Sequence, residues 1–376
     1  MSKLECALAD SLIKPITQTP VLSVVIPSYQ RPDELQLTVQ SIAEQLRDGL
    51  EDKVEILISD NGSDPDTLGM IQALAERYDR LNYMINARDE GGFFNFFAAP
   101  WRARGRHTWV FGSDDVLLEG GVASVVEILE REAPSFLSLN KRAANNNLSE
   151  VLYSELNTVP DRRFDTFIDL FRAFGMNQLA FISAQIENTE AARKLDPEPY
   201  LRTDSRHPHV AAFLEKHAYA PAYYSSATHL VHRVENSPML DYNAGNFFDY
   251  GATFPRLLIE IMEKVGAPLA LFEKISGRRE VVSYDTPDVT FVDTIFENIL
   301  RAISDGKYLG VGHRRALESA LVYCRPDRMG QFAELWKYNV RLIDMERRSR
   351  QAEQSLDRAQ HAALETSGLF RTSTNP

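Results

Sequence analysis

The sequence predicts an α/β protein built around a mainly parallel, twisted sheet with helices packed on it. Two patterns predict it. Short continuous apolar runs, the mark of strands buried on both faces, alternate with segments whose apolar residues recur at helical spacing. The runs end in proline or in acidic and glycine-containing turns, the punctuation expected where a buried strand hands over to a helix.

After a loose leader over residues 1–19, Val21 to Pro27 (VLSVVIP) reads as the first buried strand, stopped by its proline. Leu35, Val39, Ile42 and Leu46 follow at helical spacing behind Asp33. Val54 to Ser59 (VEILIS) is the second strand; the turn Asp60-Asn61-Gly62-Ser63 then leads into a helix carrying Leu68, Ile71, Leu74 and Ala75. Leu81 to Ile85 and His107 to Gly112 (HTWVFG) read as the third and fourth strands. Beyond Ser138 the pattern is less regular: Asn140 to Asn147 (NKRAANNN) looks like an exposed loop, Met176 to Ile186 is apolar, and a short helix carries Val210, Ala211, Phe213 and Leu214. Helical patterns dominate from about Phe248, at Leu257 to Val265, Val292 to Ile303, Arg315 to Val322 and Phe332 to about Leu364. The tail Thr366 to Pro376 has the composition of a disordered segment. These patterns divide the chain into a leader (1–19), an α/β domain (20–235, with halves 20–138 and 139–235), a helical region (236–365) and the tail (366–376).

The chain has 376 residues, room for about two to three domains of ordinary size. Lys plus Arg is 41 against 53 Asp plus Glu, a net charge of −12, which argues against a protein that tracks nucleic-acid phosphates. Cys6 and Cys324 are the only cysteines, so neither a disulfide framework nor a cysteine-rich zinc site is expected. No apolar run approaches the ~20 residues of a membrane span, and the N-terminus carries acids where a signal peptide has basic residues. A cytoplasmic protein is the expectation.

In sheets of this kind ligands sit beyond the carboxyl ends of the strands, which directs attention to Ser28–Arg31, Asp60–Ser63, Asn86–Asn95 and Ser113–Asp115. Asp114 and Asp115 are adjacent carboxylates that repel unless a cation or hydrogen-bond donors occupy the site. Magnesium or manganese suits such hard oxygen ligands and leaves coordination positions for phosphates; the structural alternative is a cap on a helix beginning near Glu119. Asp60 is either a turn-former or an acceptor for a nucleobase or ribose, and Gly91-Gly92 either a plain turn or a place where backbone approaches a ligand. The first turn, Ser28-Tyr29-Gln30, has no glycine, which excludes the dinucleotide fingerprint, and no Gly-Lys-Ser/Thr occurs for a P-loop.

Four ordered blocks carry a specific resemblance. They are Leu22-Ser23-Val24-Val25-Ile26-Pro27-Ser28-Tyr29-Gln30-Arg31-Pro32, Ile58-Ser59-Asp60-Asn61-Gly62-Ser63, Gly91-Gly92 with Asn95, and Phe111-Gly112-Ser113-Asp114-Asp115. Together they resemble the N-terminal half of a family 2 glycosyltransferase with the GT-A fold, in the abequosyltransferase-like branch that builds bacterial O-antigen and related surface glycans. The resemblance spans about residues 20–130. It implies an inverting hexosyl transfer from a UDP-, GDP-, dTDP- or CDP-linked sugar, with Mn2+ or Mg2+ bridging the diphosphate. By the same resemblance Pro27, Ser28, Tyr29 and Arg31 line the nucleotide pocket and Asp60 meets the base. Asn61, Gly92, Asn95 and Ser113 belong to the same donor site, Asp114 contacts ribose or sugar, and Asp115 holds the metal with Asp114 beside it. Gln30 stands where Asn is common and Ser113 where many relatives carry an acid, so Asp115 is expected to be the main metal ligand.

Inverting transfer needs a base for the acceptor hydroxyl. In relatives this is an acid near the start of a helix well beyond the metal aspartate; Asp204, 89 positions after Asp115, is the first candidate. The alternative is that Asp204 merely caps that helix. His207 and His209 compete because histidine titrates near neutral pH, and Asp196 is a weaker choice. The expected partners are the nucleotide sugar and a glycan or polyprenyl-linked acceptor. Arg341, Arg347, Arg348 and Arg350 near Trp336, Ile343 and Met345 suit contact with anionic lipid at the inner face of the plasma membrane. Glu346, Glu353 and Asp357 dilute that charge and favour a solvated or oligomer-forming helix instead. Two alternative functions stand beside transfer: a non-catalytic sugar-nucleotide-binding scaffold, and a sugar nucleotidyltransferase, whose usual Gly-rich basic signature is missing.

Overall fold

The computed structural model describes Leu4 and residues 6–145, 148, 150–154, 159–203, 205, 207–233 and 254–267. The chain divides into two compact units, Met1–Asp241 with Phe254–Phe291, and Tyr242–Thr253 with Val292–Pro376; every described residue lies in the first. The patterns expected at 292–303, 315–322 and 332–364, the tail, Cys324 and the basic cluster at Arg341–Arg350 fall outside the described residues.

The four expected strands form as β2 (Leu22–Ser28), β3 (Val54–Asp60), β4 (Leu81–Asn86) and β5 (His107–Val110). They lie parallel in the spatial order β4-β3-β2-β5, with Val24 opposite both Ile56 and Trp109. Helices cover both faces: α1 (Pro32–Ala43), α2 (Pro65–Arg77) and α3 (Gly92–Arg102). Leu22, Val24 and Ile26 pack with Ile56, Ile58, Leu35, Val39 and Ile71 on one face, while Val25 and Leu57 are buried on the other, which is why the runs are apolar on both faces. After β3 and β4 the chain returns to the other side of β2 to lay down β5. Strand order therefore reverses at β2, and a crevice opens at the carboxyl ends of β2, β3 and β5.

Three segments depart from expectation. Leu8–Leu12, inside the leader, is an edge strand (β1) antiparallel to β4, with Leu12 opposite Tyr83. Its side chains are exposed, so no apolar run marks it. The predicted loop Asn140–Asn147 is strand as far as Ala144 in β7 (Phe136–Ala144), with Asn140 and Lys141 buried. Finally, the acidic pair leads not into a helix but into β6 (Val116–Leu117); α4 (Gly121–Glu132) starts later, capped by Gly120 at φ +81°.

The second half extends the same sheet. A hairpin strand β8 (Val151–Ser154) pairs with β7, and β9 (Arg162–Phe164) precedes α5 (Phe167–Leu179). A 3-10 turn at Ile182–Ala184 then runs into β10 (Gln185–Asn188), antiparallel to both β5 and β7. Short helices α6 (Thr189–Ala192) and α7 (Glu198–Leu201) lead to α8 (Pro208–His217). β11 (Ala222–Arg233) runs parallel to β7 and antiparallel to β6, and α9 (Phe254–Val265) packs on α8.

Candidate active site

The turn after β3 is organised by Asp60. Its carboxylate accepts from Gly62 N (3.0 Å), Ser63 N (2.8 Å) and Ser63 Oγ (2.7 Å), and the residue is fully buried. The turn-forming alternative thus describes how this carboxylate is used in the free protein. Gly62 has φ +78°, and a Cβ there would lie 3.0 Å from the Arg88 backbone, so only glycine closes the turn without strain. Ser63 Oγ in turn accepts from Gln30 N (2.9 Å), and Asn61 N donates to Ser28 O (2.9 Å). The ends of β2 and β3 are therefore one structure. Gln30 sits at φ +50°, an uncommon conformation for a residue with a Cβ, and beside it Tyr29 is 44% exposed at the crevice. Ser28 Oγ is buried with no hydrogen-bond partner.

The turn after β4 joins them. Asp89 accepts from Asn61 Nδ2 and, at 2.8 Å, from Gly91 N; Gly91 at φ +89° starts α3, whose first residue is Gly92. Asn95, expected among donor contacts, is instead committed to the protein: Nδ2 donates to Ser59 O (2.9 Å), and Oδ1 accepts from Asn86 Nδ2 (3.0 Å) and Arg102 Nη1 (3.1 Å). With its side chain buried and bonded at both ends, it supports the site from beneath.

The acidic pair lies beyond β5. Thr38 Oγ1, on α1, donates to the carbonyls of Ser113 (2.9 Å) and Asp115 (2.7 Å), which fixes the backbone of the turn. Asp114 Oδ2 is paired with Arg31 Nη1 at 2.9 Å. Asp115 is 5% exposed, and its Oδ2 accepts from Ser183 Oγ, which itself accepts from Gly112 N at 2.8 Å. A Cβ at Gly112 would lie 2.7 Å from Asp115 Oδ2, which explains the glycine. Burial, and next the neighbouring Asp114 charge, push Asp115 well above the ordinary carboxylate range; the Ser183 hydrogen bond and the Lys141 and Arg233 charges oppose them. A desolvated carboxylate beside a second one is an environment that a divalent cation relieves, and the donors are the hard oxygens that magnesium and manganese take. Among the described residues no group of three or more His, Cys, Asp or Glu side chains gathers.

The base candidates separate. Asp204 lies outside the described residues. His207 occupies the N-cap position of α8, the place expected for an acid, and is buried. His209 is removed from candidacy: it is buried among Phe93, Phe96 and Phe213, its Nε2 bonds the Ala180 carbonyl at 2.9 Å, and burial holds its pKa down to about 3. A ring that so resists protonation is a core histidine, not a proton acceptor.

Sequence reasoning missed Ser183 as the partner of Asp115, and Lys141 and Arg233 as the charges beside it. Lys141 Nζ lies 4.5 Å from the centre of the Phe181 ring, whose other neighbour is His232 at 4.7 Å. β6 pairs with β11 through Leu117–Leu230 and Val116–Val231, so the end of β11 delivers His232 and Arg233 alongside the acidic pair. Ser183 lies within the apolar stretch Met176 to Ile186, and nothing local marks it or the two cations.

Comparison with known proteins places the chain. Residues 23–182 match Glycosyl transferase family 2. Abequosyltransferase RfbV of Salmonella typhimurium is 34% identical over 118 residues, 31% of this chain and 35% of that protein. The GalNAc(5)-diNAcBac-PP-undecaprenol beta-1,3-glucosyltransferase of Campylobacter jejuni is 30% identical over 110 residues, 29% of this chain and 34% of that protein. The matches thus span about a third of these relatives' lengths. Among solved structures, S. aureus TarS 1-349 in complex with UDP superposes with a TM-score of 0.52 at 14% identity, over 68% of this chain and 69% of that one. TarS 1-349 in another crystal structure gives 0.51 at 11% identity, over 82% and 91%. The strand ends that carry the acidic turns are therefore those of a GT-A fold, and the residues that build them lie within the stretch, 23–182, that matches Glycosyl transferase family 2.

Proposed function

We propose that this chain transfers a sugar, with inversion, from a nucleotide-diphosphate donor to a glycan or lipid-linked acceptor in the synthesis of a bacterial surface polysaccharide. The observation that carries the reading is Asp115, a buried carboxylate beside Asp114 at the switch point of the sheet, desolvated in a way that a cation would relieve. The names of the two curated relatives, an abequosyltransferase and a glucosyltransferase with a PP-undecaprenol acceptor, support the same class.

On this reading Ser28, Tyr29, Asp60 and Asn61 form the nucleoside end of the crevice, and Arg31 and Asp114 the sugar end. Asp115, with Asp114 beside it, would hold Mn2+ or Mg2+, which when bound supplies positive charge to a leaving diphosphate. Arg31, Lys141 and Arg233 add their own charge at the same end. The acceptor hydroxyl loses its proton to a base as the anomeric carbon is attacked, and Asp204 or His207 takes that proton. Among the described residues no helix is long and apolar enough to cross a membrane, so on this reading a lipid-linked acceptor is met from the surface at the inner face of the plasma membrane.

Calorimetric titration with UDP, GDP, dTDP and CDP, each with and without Mn2+, tests the reading. One nucleotide should bind in a metal-dependent way, and Asp115→Ala should abolish the metal dependence. Binding of none of the four by the wild-type protein overturns it.

A further inference from the structure

We propose that Arg102 is a positioning residue for the nucleotide, acting through Asn86 on the turn that follows β3; the inference rests on the reading that this turn meets the nucleotide. Arg102 closes α3, with its guanidinium directed inward beneath the turns after β3 and β4. Nη2 donates to Asn86 Oδ1 (2.7 Å) and to Cys6 Sγ (3.2 Å), and Nη1 donates to Asn95 Oδ1 (3.1 Å) and Ser59 Oγ. Among the described residues no carboxylate pairs with it, and burial lowers its pKa from the usual guanidinium value. A buried cation without a carboxylate is a poor way to fill space, since an apolar side chain of similar volume packs at least as well.

Its chemistry explains what it does instead. A guanidinium offers only donors, so both asparagines must turn their Oδ1 atoms toward it and their Nδ2 groups away. Asn86 Nδ2 is thereby aimed at Asn61 Oδ1 (2.9 Å), which also accepts from Glu90 N (3.1 Å). Asn61 Nδ2 is left to reach Asp89, and Asn95 Nδ2 to reach Ser59 O. One donor-only group thus sets the amide orientations that lock the two turns together. Arg102 touches none of the residues expected to move a proton or hold a metal, which makes its role one of placement. The half-buried Cys6, just ahead of β1, is the only sulfur partner in the set.

The test is the titration with UDP, GDP, dTDP and CDP in Mn2+, repeated on full-length Arg102→Met, Arg102→Lys and Asn86→Asp, with thermal unfolding of each. Arg102→Met should weaken the nucleotide that binds the wild type by of the order of tenfold, and Arg102→Lys should recover part of the loss. Asn86→Asp keeps an acceptor for Arg102 but removes the Nδ2 donor to Asn61 and to Asn95. It should weaken binding in a protein that still unfolds cooperatively. Wild-type affinity in folded Asn86→Asp, or in folded Arg102→Met, overturns the inference while leaving the proposed function intact. Absence of nucleotide binding by the wild type overturns the proposed function itself, and this inference with it.

Discussion

Asp60 and Asp115 are both buried aspartates at strand ends, and their neighbours assign them different work. Asp60 spends its carboxylate on three hydrogen bonds within its own turn, whereas Asp115 has one hydroxyl partner and a second carboxylate beside it. The same contrast runs through the histidines. His209, held near a pKa of about 3 by burial, stays neutral in the folded protein while its unfolded counterpart protonates below about pH 6.5. The unfolded state therefore binds more protons in that interval, and stability falls as pH drops from about 6.5 toward 3. His209→Gln, which keeps a donor for the Ala180 carbonyl, should flatten the dependence of melting temperature on pH in that range and retain sugar transfer. Asp204→Asn should retain nucleotide binding and lose transfer in a radiolabelled-sugar assay. Retained transfer in Asp204→Asn moves the base to His207.

At the scale of elements, the sheet is pinned at the end away from the site so that the crevice end is free to carry loops. Glu55 on β3 is buried and accepts from Arg104 N (2.7 Å) and Nε (2.6 Å), while Ser23 Oγ on β2 accepts from Gly105 N (2.7 Å). A Cβ at Gly105 would stand 2.6 Å from Ser23 N, so this close approach of α3's exit to β2 requires glycine. Arg104→Ala leaves the buried Glu55 carboxylate without its cation, held only by the residue 104 backbone N–H and Ser23 Oγ, and should lower stability by about 3 kcal/mol in urea unfolding. Nucleotide affinity should change little, because the cluster lies across the sheet from the acidic pair. β10 is held to α8 in a comparable way, with Glu187 buried between Lys216 and His217, whose Nε2 is 3.1 Å away.

For the whole molecule, a ligand that bridges the ends of β2, β3 and β5 stabilises the folded state by mass action. A nucleotide present at a hundred times its dissociation constant adds about 2.7 kcal/mol. The melting temperature should rise by several degrees in nucleotide with Mn2+, and the rise should vanish in Asp115→Ala. The four central strands, their helices and the acidic turns were legible because each is written locally: a Val, Ile and Leu run, a proline or aspartate stop, and a helical repeat. β1 was not legible, since its Leu8-Ala9-Asp10-Ser11-Leu12 is exposed and is a strand only through pairing with β4, more than 70 residues away in sequence. β7 hid behind Asn140 and Lys141, polar residues buried by neighbours that arrive from β11. The amino-acid order by itself determined that this is an α/β chain with acidic turns at its strand ends, because periodicity and turn chemistry act over a few residues. Only the tertiary structure decided which aspartate closes a turn and which stands desolvated beside a second carboxylate, and which asparagines support the site from below. Those outcomes depend on Ser183, Lys141 and Arg233, which lie far from Asp115 in sequence, and on Arg102, whose partners are set by how α3 packs on the turns rather than by sequence spacing.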